Sequence, residues 1–223
     1  MKISVRTRGE SFAFDCAAGE KILQAGLRAG FGLPFECGSG TCGTCKAELG
    51  DGELDEGWPE APGRAYVKAE RSEFLVCQAS PRSDCSIGVR SKVEALPDDV
   101  PVPNARSGQI MKVETLTHDV CRIEVSIDKP TSFNAGQFML VGAEAVVGQR
   151  AYSMANYAAT TDSLTFVIKQ VPDGGFTDWL FAADRTGIDL ELFGPLGVAT
   201  YAPTLPNNLV CIAGGSGLTP MLS

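Results

Sequence analysis

Residues 2–7 and 11–14 alternate apolar and polar side chains on either side of Arg8, Gly9 and Glu10, the pattern of a β-hairpin. Residues 20–29 follow Gly19 and set Ile22, Leu23, Ala25 and Leu27 on broadly one side, ending at Gly30, which predicts a short amphipathic helix. A loop rich in glycine and cysteine then covers 36–45, and a strand is expected from Lys46. Trp58-Pro59 and Ala61-Pro62-Gly63 make the next stretch irregular, with a short helix near 64–70 and apolar strands near 74–77 and 85–90.

Residues 96–104, LPDDVPVPN, hold three prolines and two aspartates and read as a linker. Beyond it, strand-like segments recur at 108–115, 120–127, 137–142, 150–155 and 163–169, a short, regular spacing that predicts an antiparallel barrel. A helix is expected from Gly175-Phe176-Thr177 and a further strand over 188–193. Pro203 and Pro206 mark a second boundary, after which the apolar run 209–213 enters Gly214-Gly215-Ser216-Gly217. A continuous apolar run of that kind reads as a buried parallel strand leading into a glycine-rich turn.

The chain has 223 residues, which at roughly 100–200 per domain allows one or two domains. With 44% apolar and 21% charged residues it can bury a real core, and disorder, collagen and coiled coil are excluded. No apolar stretch approaches the ~18 residues that span a bilayer. Arg6 follows Lys2 before any apolar segment, so the start is not a signal peptide, and a cytoplasmic location is expected. Lys plus Arg total 19 against 27 for Asp plus Glu, a net charge of −8 with no basic block, so neither nucleic acid nor stable membrane insertion is expected. Up to residue 95 there are 12 basic and 14 acidic residues, and afterwards 7 and 13, so the later part carries most of the excess. That excess serves solubility or helps a basic partner dock.

The eight cysteines change the picture more. Cys16, Cys85, Cys121 and Cys211 are scattered among apolar or β-branched neighbours and read as buried small hydrophobes. Cys37, Cys42 and Cys45 follow the spacing C-x4-C-x2-C, and Cys77 lies 31 intervening residues further on, the plant-type [2Fe–2S] ligand pattern. Thiolates are soft ligands that suit iron, and Gly38, Gly40 and Gly43 permit the tight curl that three ligands in nine residues require. Amide groups of that loop can then point at the sulfurs. A zinc knuckle would call for a second close cysteine pair or histidines, whereas His118 is the one histidine and lies far away. A redox pair at Cys42 and Cys45 leaves Cys37 and Cys77 without a purpose.

Three weaker motifs follow. Arg150-Ala151-Tyr152-Ser153 is either two faces of an ordinary strand or a flavin contact, with Arg150 on a phosphate, Tyr152 stacked on the ring and Ser153 near its reactive nitrogen. Gly174-Gly175-Phe176-Thr177 is a plain turn with Thr177 as N-cap, or a helix start offering amides to a pyrophosphate, with Lys169 just before it. Gly214, Gly215, Gly217 and Thr219 form a tight strand-to-helix turn or a nucleotide approach, although the spacing is not G-x-G-x-x-G.

Taken together, CGSGTCGTCKAEL, the stretch 58–63, Phe74-Leu75-Val76-Cys77-Gln78, RAYSMAN at 150–156 and AGGSGLTPM at 213–221 carry a resemblance along the whole chain. The sequence resembles the NADH-dependent reductase components of bacterial aromatic and alkane oxygenases, most nearly those of xylene and toluene monooxygenases. The resemblance implies an α+β chain: a β-grasp [2Fe–2S] ferredoxin domain (1–95), a linker (96–104), an antiparallel β-barrel FAD-binding domain (105–203) and the first strand of an incomplete α/β nucleotide-binding domain (207–223). It implies that Cys37, Cys42, Cys45 and Cys77 hold the cluster. Arg150, Tyr152, Ser153, Lys169, Gly175 and Thr177 would serve FAD, with Tyr152 and Ser153 at the reacting ring. Gly214, Gly215, Gly217 and Thr219 would begin the NADH site.

Such reductases pass electrons from NADH through FAD to the cluster and on to an oxygenase component or its ferredoxin. A nicotinamide donates two electrons while the cluster accepts one, so a flavin must stand between. Ala135-Gly136-Gln137 replaces the usual Pro-Gly-Gln, and roughly a hundred residues of nucleotide domain are expected beyond Ser223. The alternative function is therefore an iron–sulfur flavoprotein carrier without efficient NADH oxidation. The separation of the two motif sets makes one prediction. Cys77→Ala should lose iron and acid-labile sulfide while keeping flavin near one equivalent, and loss of both together on cofactor analysis would contradict two independent sites.

Overall fold

In a computed structural model the described residues are 1–97, 100–201 and 210–223. They form two compact units, Met1–Pro103 and Asn104–Ser223.

The first unit contains β1 (Lys2–Arg6), β2 (Ser11–Asp15), α1 (Ile22–Arg28), β3 (Lys46–Asp51), β4 (Leu54–Asp55), β5 (Glu73–Leu75), β6 (Ser80–Pro81) and β7 (Cys85–Gly88). Five strands make one sheet in the order β2-β1-β7-β3-β5, parallel only between β1 and β7. The hairpin alternation becomes Ile3 and Val5 buried on one face, with α1 laying Ile22, Leu23 and Leu27 into the same core. No side chain caps α1. Its first amides instead find main-chain acceptors, Ile22 N–H donating to Ala79 O at 2.9 Å and Leu23 N–H to Val76 O at 2.9 Å. The helix start is thereby tied to the two residues that flank Cys77 and Gln78.

The second unit contains β8 (Asn104–Thr115), β9 (Val120–Thr131), β10 (Phe138–Gly142), β11 (Arg150–Ser153), β12 (Thr161–Lys169), α2 (Gly175–Phe181) and β13 (Asp189–Leu196). Its six strands form an antiparallel sheet ordered β11-β10-β13-β8-β9-β12. The sheet curls until its edges meet: Met154, just after β11, bridges Phe166 of β12, and Ala155 N–H donates to Thr165 O at 2.8 Å. Period-two alternation along β9 sends Cys121, Ile123, Val125 and Ile127 inward, where they meet Ile110, Met139, Leu164, Phe166 and Leu192. Phe176 and Leu180 of α2 complete that core.

Several expectations need correction. The helix near 64–70 is two 3₁₀ turns, Pro62–Tyr66 and Ala69–Arg71, because Val67 and Lys68 between them adopt extended backbone. The pair β4–β6 was not foreseen, since two-residue strands show no periodicity. Strand β11 stops at Ser153 rather than 155. Strand β8 begins at Asn104, inside the segment read as linker, of which 98–99 lie outside the described residues. Pro203, Pro206 and Leu209 also lie outside them, while 210–213 carry no strand and Gly215–Met221 is a 3₁₀ helix. A strand needs a hydrogen-bonded neighbour, and none pairs with 210–213 among the described residues, leaving Val210 and Ile212 at 88% and 87% exposure. Cys211 is accordingly exposed, not buried, whereas Cys16, Cys85 and Cys121 are buried as expected. Burial pushes the Cys16 thiol up to about 12 and that of Cys121 up to about 11, consistent with inert hydrophobes.

The barrel leaves no room at Gly108 of β8. An added Cβ would lie 2.6 Å from Leu192 Cδ1, 2.8 Å from Val125 Cγ1 and 2.9 Å from the Ser126 carbonyl oxygen. Gly108→Ala should therefore destabilise the second unit by about 1–3 kcal/mol, read as a lower urea midpoint in near-UV circular dichroism.

Candidate functional site

The first site is built by the register of β3 and β5. Lys46 pairs with Leu75, which sets Cys45, one residue before β3, against the segment leaving β5. Val76 N–H donates to Cys45 O at 3.0 Å, and the Cys45 and Cys77 sulfurs lie 3.1 Å apart. The loop carrying the other two cysteines turns through left-handed backbone at Gly38, Gly40 and Gly43, with φ of 64°, 85° and 73°. That path turns amides inward: Ser39 and Cys42 N–H each donate to Cys37 Sγ at 3.4 Å, and Thr44 N–H to Cys42 Sγ at 3.5 Å.

The loop is supported from outside by residues to which the sequence reading assigns no role. Gly63 N–H donates to Gly40 O at 2.8 Å, and the Gly63 backbone fits so closely that a Cβ there would sit 2.8 Å from Gly40 O and 2.9 Å from Gly43 N. Tyr66 covers Gly43 from the solvent side. Gln78, buried beside Cys77, packs on Gly40. Only Ala61-Pro62-Gly63 as a turn hinted at this support.

Burial works to raise the Cys37 thiol, but hydrogen bonds from Thr41 and Ser39 and from the Cys42 and Ser39 amides outweigh it and bring it down to about 6. The contact with Cys77 pushes Cys45 up, reinforced by burial and by the charge of Cys77. The same contact holds Cys77 below the ordinary thiol value against its burial, helped by Gln78 and the Gly40 amide. The charge of Cys37 is felt at both Cys45 and Cys77, so these thiols share one electrostatic environment.

Among the described residues, no three Cys, His, Asp or Glu side chains gather as a single-ion site. The donor set of thiols with amides aimed at sulfur fits the chemistry of an iron–sulfur cluster, where negative charge is shared between sulfurs and metal.

The second site is a cleft of about 430 Å³ lined by Ala151, Tyr152, Ser153, Val167, Lys169, Gln170, Val171, Pro172, Thr177 and Thr219. It brings Tyr152, Ser153, Lys169, Thr177 and Thr219 together, five residues that the sequence reading had placed in three separate motifs. Burial pushes the Tyr152 phenol up, opposed by the charge of Arg150, so the ring stays neutral. Beneath it lies a short aromatic ladder, with ring centroids 5.5 Å apart for Tyr152 and Phe176 and 5.4 Å for Phe176 and Trp179. Arg185 closes the ladder, its guanidinium 4.7 Å over the Trp179 ring and its Nε donating to Trp179 O at 2.9 Å.

Arg150 itself does not line the cleft. Its Nη1 donates to Gln149 O at 3.0 Å, and burial depresses its pKa. Lys169 pairs across the rim with Asp119 at 3.4 Å. Thr177 is not the N-cap of α2. That position is Gly174, and the Thr177 hydroxyl accepts from Val171 N–H at 3.1 Å and donates toward Val171 O and Gly174 O, locking the turn. A Cβ on Gly175 would meet nothing closer than Val146 at 3.9 Å, so its backbone is open to approach. Gly214, Gly215 and Gly217 have no neighbouring atom within 4 Å of such a Cβ and stand apart from the cleft that Thr219 enters. The structure thus does not bring the glycine-rich turn together with the flavin residues, Thr219 excepted.

The family model "2Fe-2S iron-sulfur cluster binding domain" matches residues 5–82, and "Oxidoreductase FAD-binding domain" matches residues 107–201. The chain is therefore built from a domain of the iron–sulfur cluster-binding type and one of the oxidoreductase FAD-binding type. A ferredoxin reductase in carbazole 1,9a-dioxygenase superposes with a TM-score of 0.85 and 34% identity, over 100% of this chain and 69% of that one.

The chain belongs to the ferredoxin reductase family that supplies the reductase components of oxygenases. The ferredoxin–NAD(P)(+) reductase CarAd of Metapseudomonas resinovorans is 38% identical over 92% of this chain and 62% of its own length. The xylene/toluene monooxygenase electron transfer component XylA of Pseudomonas putida is 34% identical over 98% and 61%. The identities thus do not single out the xylene and toluene components. The chain spans about 62% of the length of the curated relative CarAd. No helix among the described residues is long and apolar enough to cross a membrane.

The closeness of Gly63 to the cysteine loop yields a prediction. Gly63→Ala would force Gly40 and Gly43 outward, so iron content of the purified protein should fall several-fold while flavin content is unchanged. An unaltered iron-to-protein ratio would show that the loop does not depend on this support.

Proposed function

We propose that this chain is the cluster- and flavin-bearing part of a cytoplasmic, NADH-dependent oxygenase reductase, delivering electrons to an oxygenase component or its ferredoxin. The observation that carries the reading is the pairing, in one chain of this family, of a thiol loop with inward amides and a cleft floored by Tyr152. In this reading 1–95 forms the ferredoxin domain, 96–104 the linker, 105–203 the FAD-binding domain and 207–223 the start of a nucleotide-binding domain.

Cys37, Cys42, Cys45 and Cys77 hold the [2Fe–2S] cluster as thiolates, and their amide partners spread the negative charge. Arg150 takes a flavin phosphate with guanidinium hydrogens other than those its Nη1 turns to the Val147 and Gln149 carbonyls. Tyr152 presents its ring face and Ser153 its hydroxyl to the isoalloxazine, and Lys169 stands at the rim of the cleft. Gly175 exposes backbone to the pyrophosphate while Thr177 keeps the turn in shape. When bound, FAD converts the two-electron donation of NADH into single electrons suited to the cluster. Gly214, Gly215, Gly217 and Thr219 begin the nicotinamide site.

A second reading, a carrier without efficient NADH oxidation, is favoured by the open surroundings of Gly214, Gly215 and Gly217. One experiment separates the two. The purified chain is examined anaerobically by visible spectroscopy, with NADH and then with dithionite. Flavin and iron–sulfur bands that bleach with NADH support the reductase. Bands that respond to dithionite alone support the carrier, and a chain that reconstitutes with neither iron nor flavin overturns both.

A further inference from the structure

Gln78 is among the few buried polar side chains of the first unit, at 5% exposure, and its packing on Gly40 does not by itself call for an amide. Its Nε2 lies 3.0 Å from Cys77 O and 3.5 Å from Cys77 Sγ. A primary amide nitrogen carries two hydrogens, so one group can serve both acceptors of the same residue. A carboxylate of the same shape has no hydrogen to give, and a lysine would bring a charge that is costly to bury.

The amide is also held in place. A Cβ on Gly40 would lie 2.9 Å from both Gln78 Cδ and Nε2, so glycine at that point of the loop leaves the space the amide fills. The main chain of the residue is fixed as well, since Gly57 packs so closely on the backbone carbonyl of Gln78 that a Cβ there would collide with it. Gln78 N–H donates to Leu75 O at 3.0 Å, fixing the turn out of β5. With its backbone fixed and its amide packed on Gly40, the side chain lies against the carbonyl and the sulfur of Cys77.

We infer that Gln78 is a positioning residue for electron transfer, setting the reduction potential of the cluster through its amide hydrogen bond to Cys77 Sγ. This rests on the reading of Cys77 as a cluster ligand. Reduction adds one negative charge, shared between the metal and its sulfurs, and a donor on a ligand sulfur stabilises the reduced state more than the oxidised one. Burial strengthens the effect, since water does not compete for the sulfur. Removing the donor should make the cluster harder to reduce, and replacing it with a carboxylate harder still.

The test uses the full chain loaded with its cluster, with midpoint potentials from anaerobic titration followed by electron paramagnetic resonance of the reduced centre. Gln78→Leu, close in volume, is expected to shift the midpoint to more negative values by about tenfold in the redox equilibrium, or about 59 mV for a one-electron couple. Gln78→Glu is expected to shift further in the same direction. A purely structural role would lower cluster content without moving the midpoint of the loaded fraction, and that result overturns the inference.

A second measurement needs no variant. Wild-type protein labelled with ¹⁵N only in glutamine side-chain amides should show hyperfine coupling from one amide nitrogen in the reduced state. Absence of that coupling also overturns the proposal. Wild-type protein that binds no iron would instead remove the ligand reading beneath it, a result visible in the iron analysis before any potential is measured.

Discussion

Three thiols within nine residues can face a common point only if the backbone between them turns the opposite way from an ordinary helix or strand. Gly38, Gly40 and Gly43 supply that turn. Much else in the first unit follows from it. The inverted backbone points Ser39, Cys42 and Thr44 amides at sulfur, and it removes side chains where Gln78, Gly63 and Tyr66 pack. The fourth thiol is brought in by sheet register, and α1 completes the frame by spending its first amides on the carbonyls around it. The site is thus a small loop whose position depends on contacts from β3, β5, α1 and the turn at 62–66.

What could be read in advance was whatever is local. The cysteine spacing is local, and so is the period-two alternation of β9 or the helical spacing of α1, which is why these elements stood out. Gln78 and Gly63 were not legible because their roles exist only as contacts with Gly40 and Gly43, far away along the chain. Thr177 was placed in the right turn with the wrong hydrogen bonds, since an N-cap and a loop-locking hydroxyl share one sequence signature. Residues 210–213 show the limit from the other direction. Apolar content alone marks a segment that would make a buried strand, but a strand exists only when another supplies its hydrogen bonds.

The second unit solves a different problem with the same economy. An antiparallel sheet whose edges meet at Met154 and Phe166 leaves few free main-chain groups there, and alternate strand residues fill most of its core, with Phe176 and Leu180 of α2 completing it. The cleft then forms on the outside of that closure, where β11 and β12 approach and the turn before α2 folds over. Tyr152 and Ser153 sit on one of the two strands that meet, and Lys169 at the end of the other. Barrel closure and cleft formation are consequences of one event.

The aromatic ladder beneath Tyr152 has an optical consequence. The chain has two tryptophans, and one of them, Trp179, stands two rings from the cleft. Tryptophan emission overlaps the near-ultraviolet absorption of an oxidised flavin, and resonance transfer is efficient over far greater distances than this ladder spans. A flavin held in the cleft would therefore darken Trp179, and recovery of brightness would time its departure. The packing that steadies Tyr152 also equips the protein with its own light-emitting gauge of occupancy.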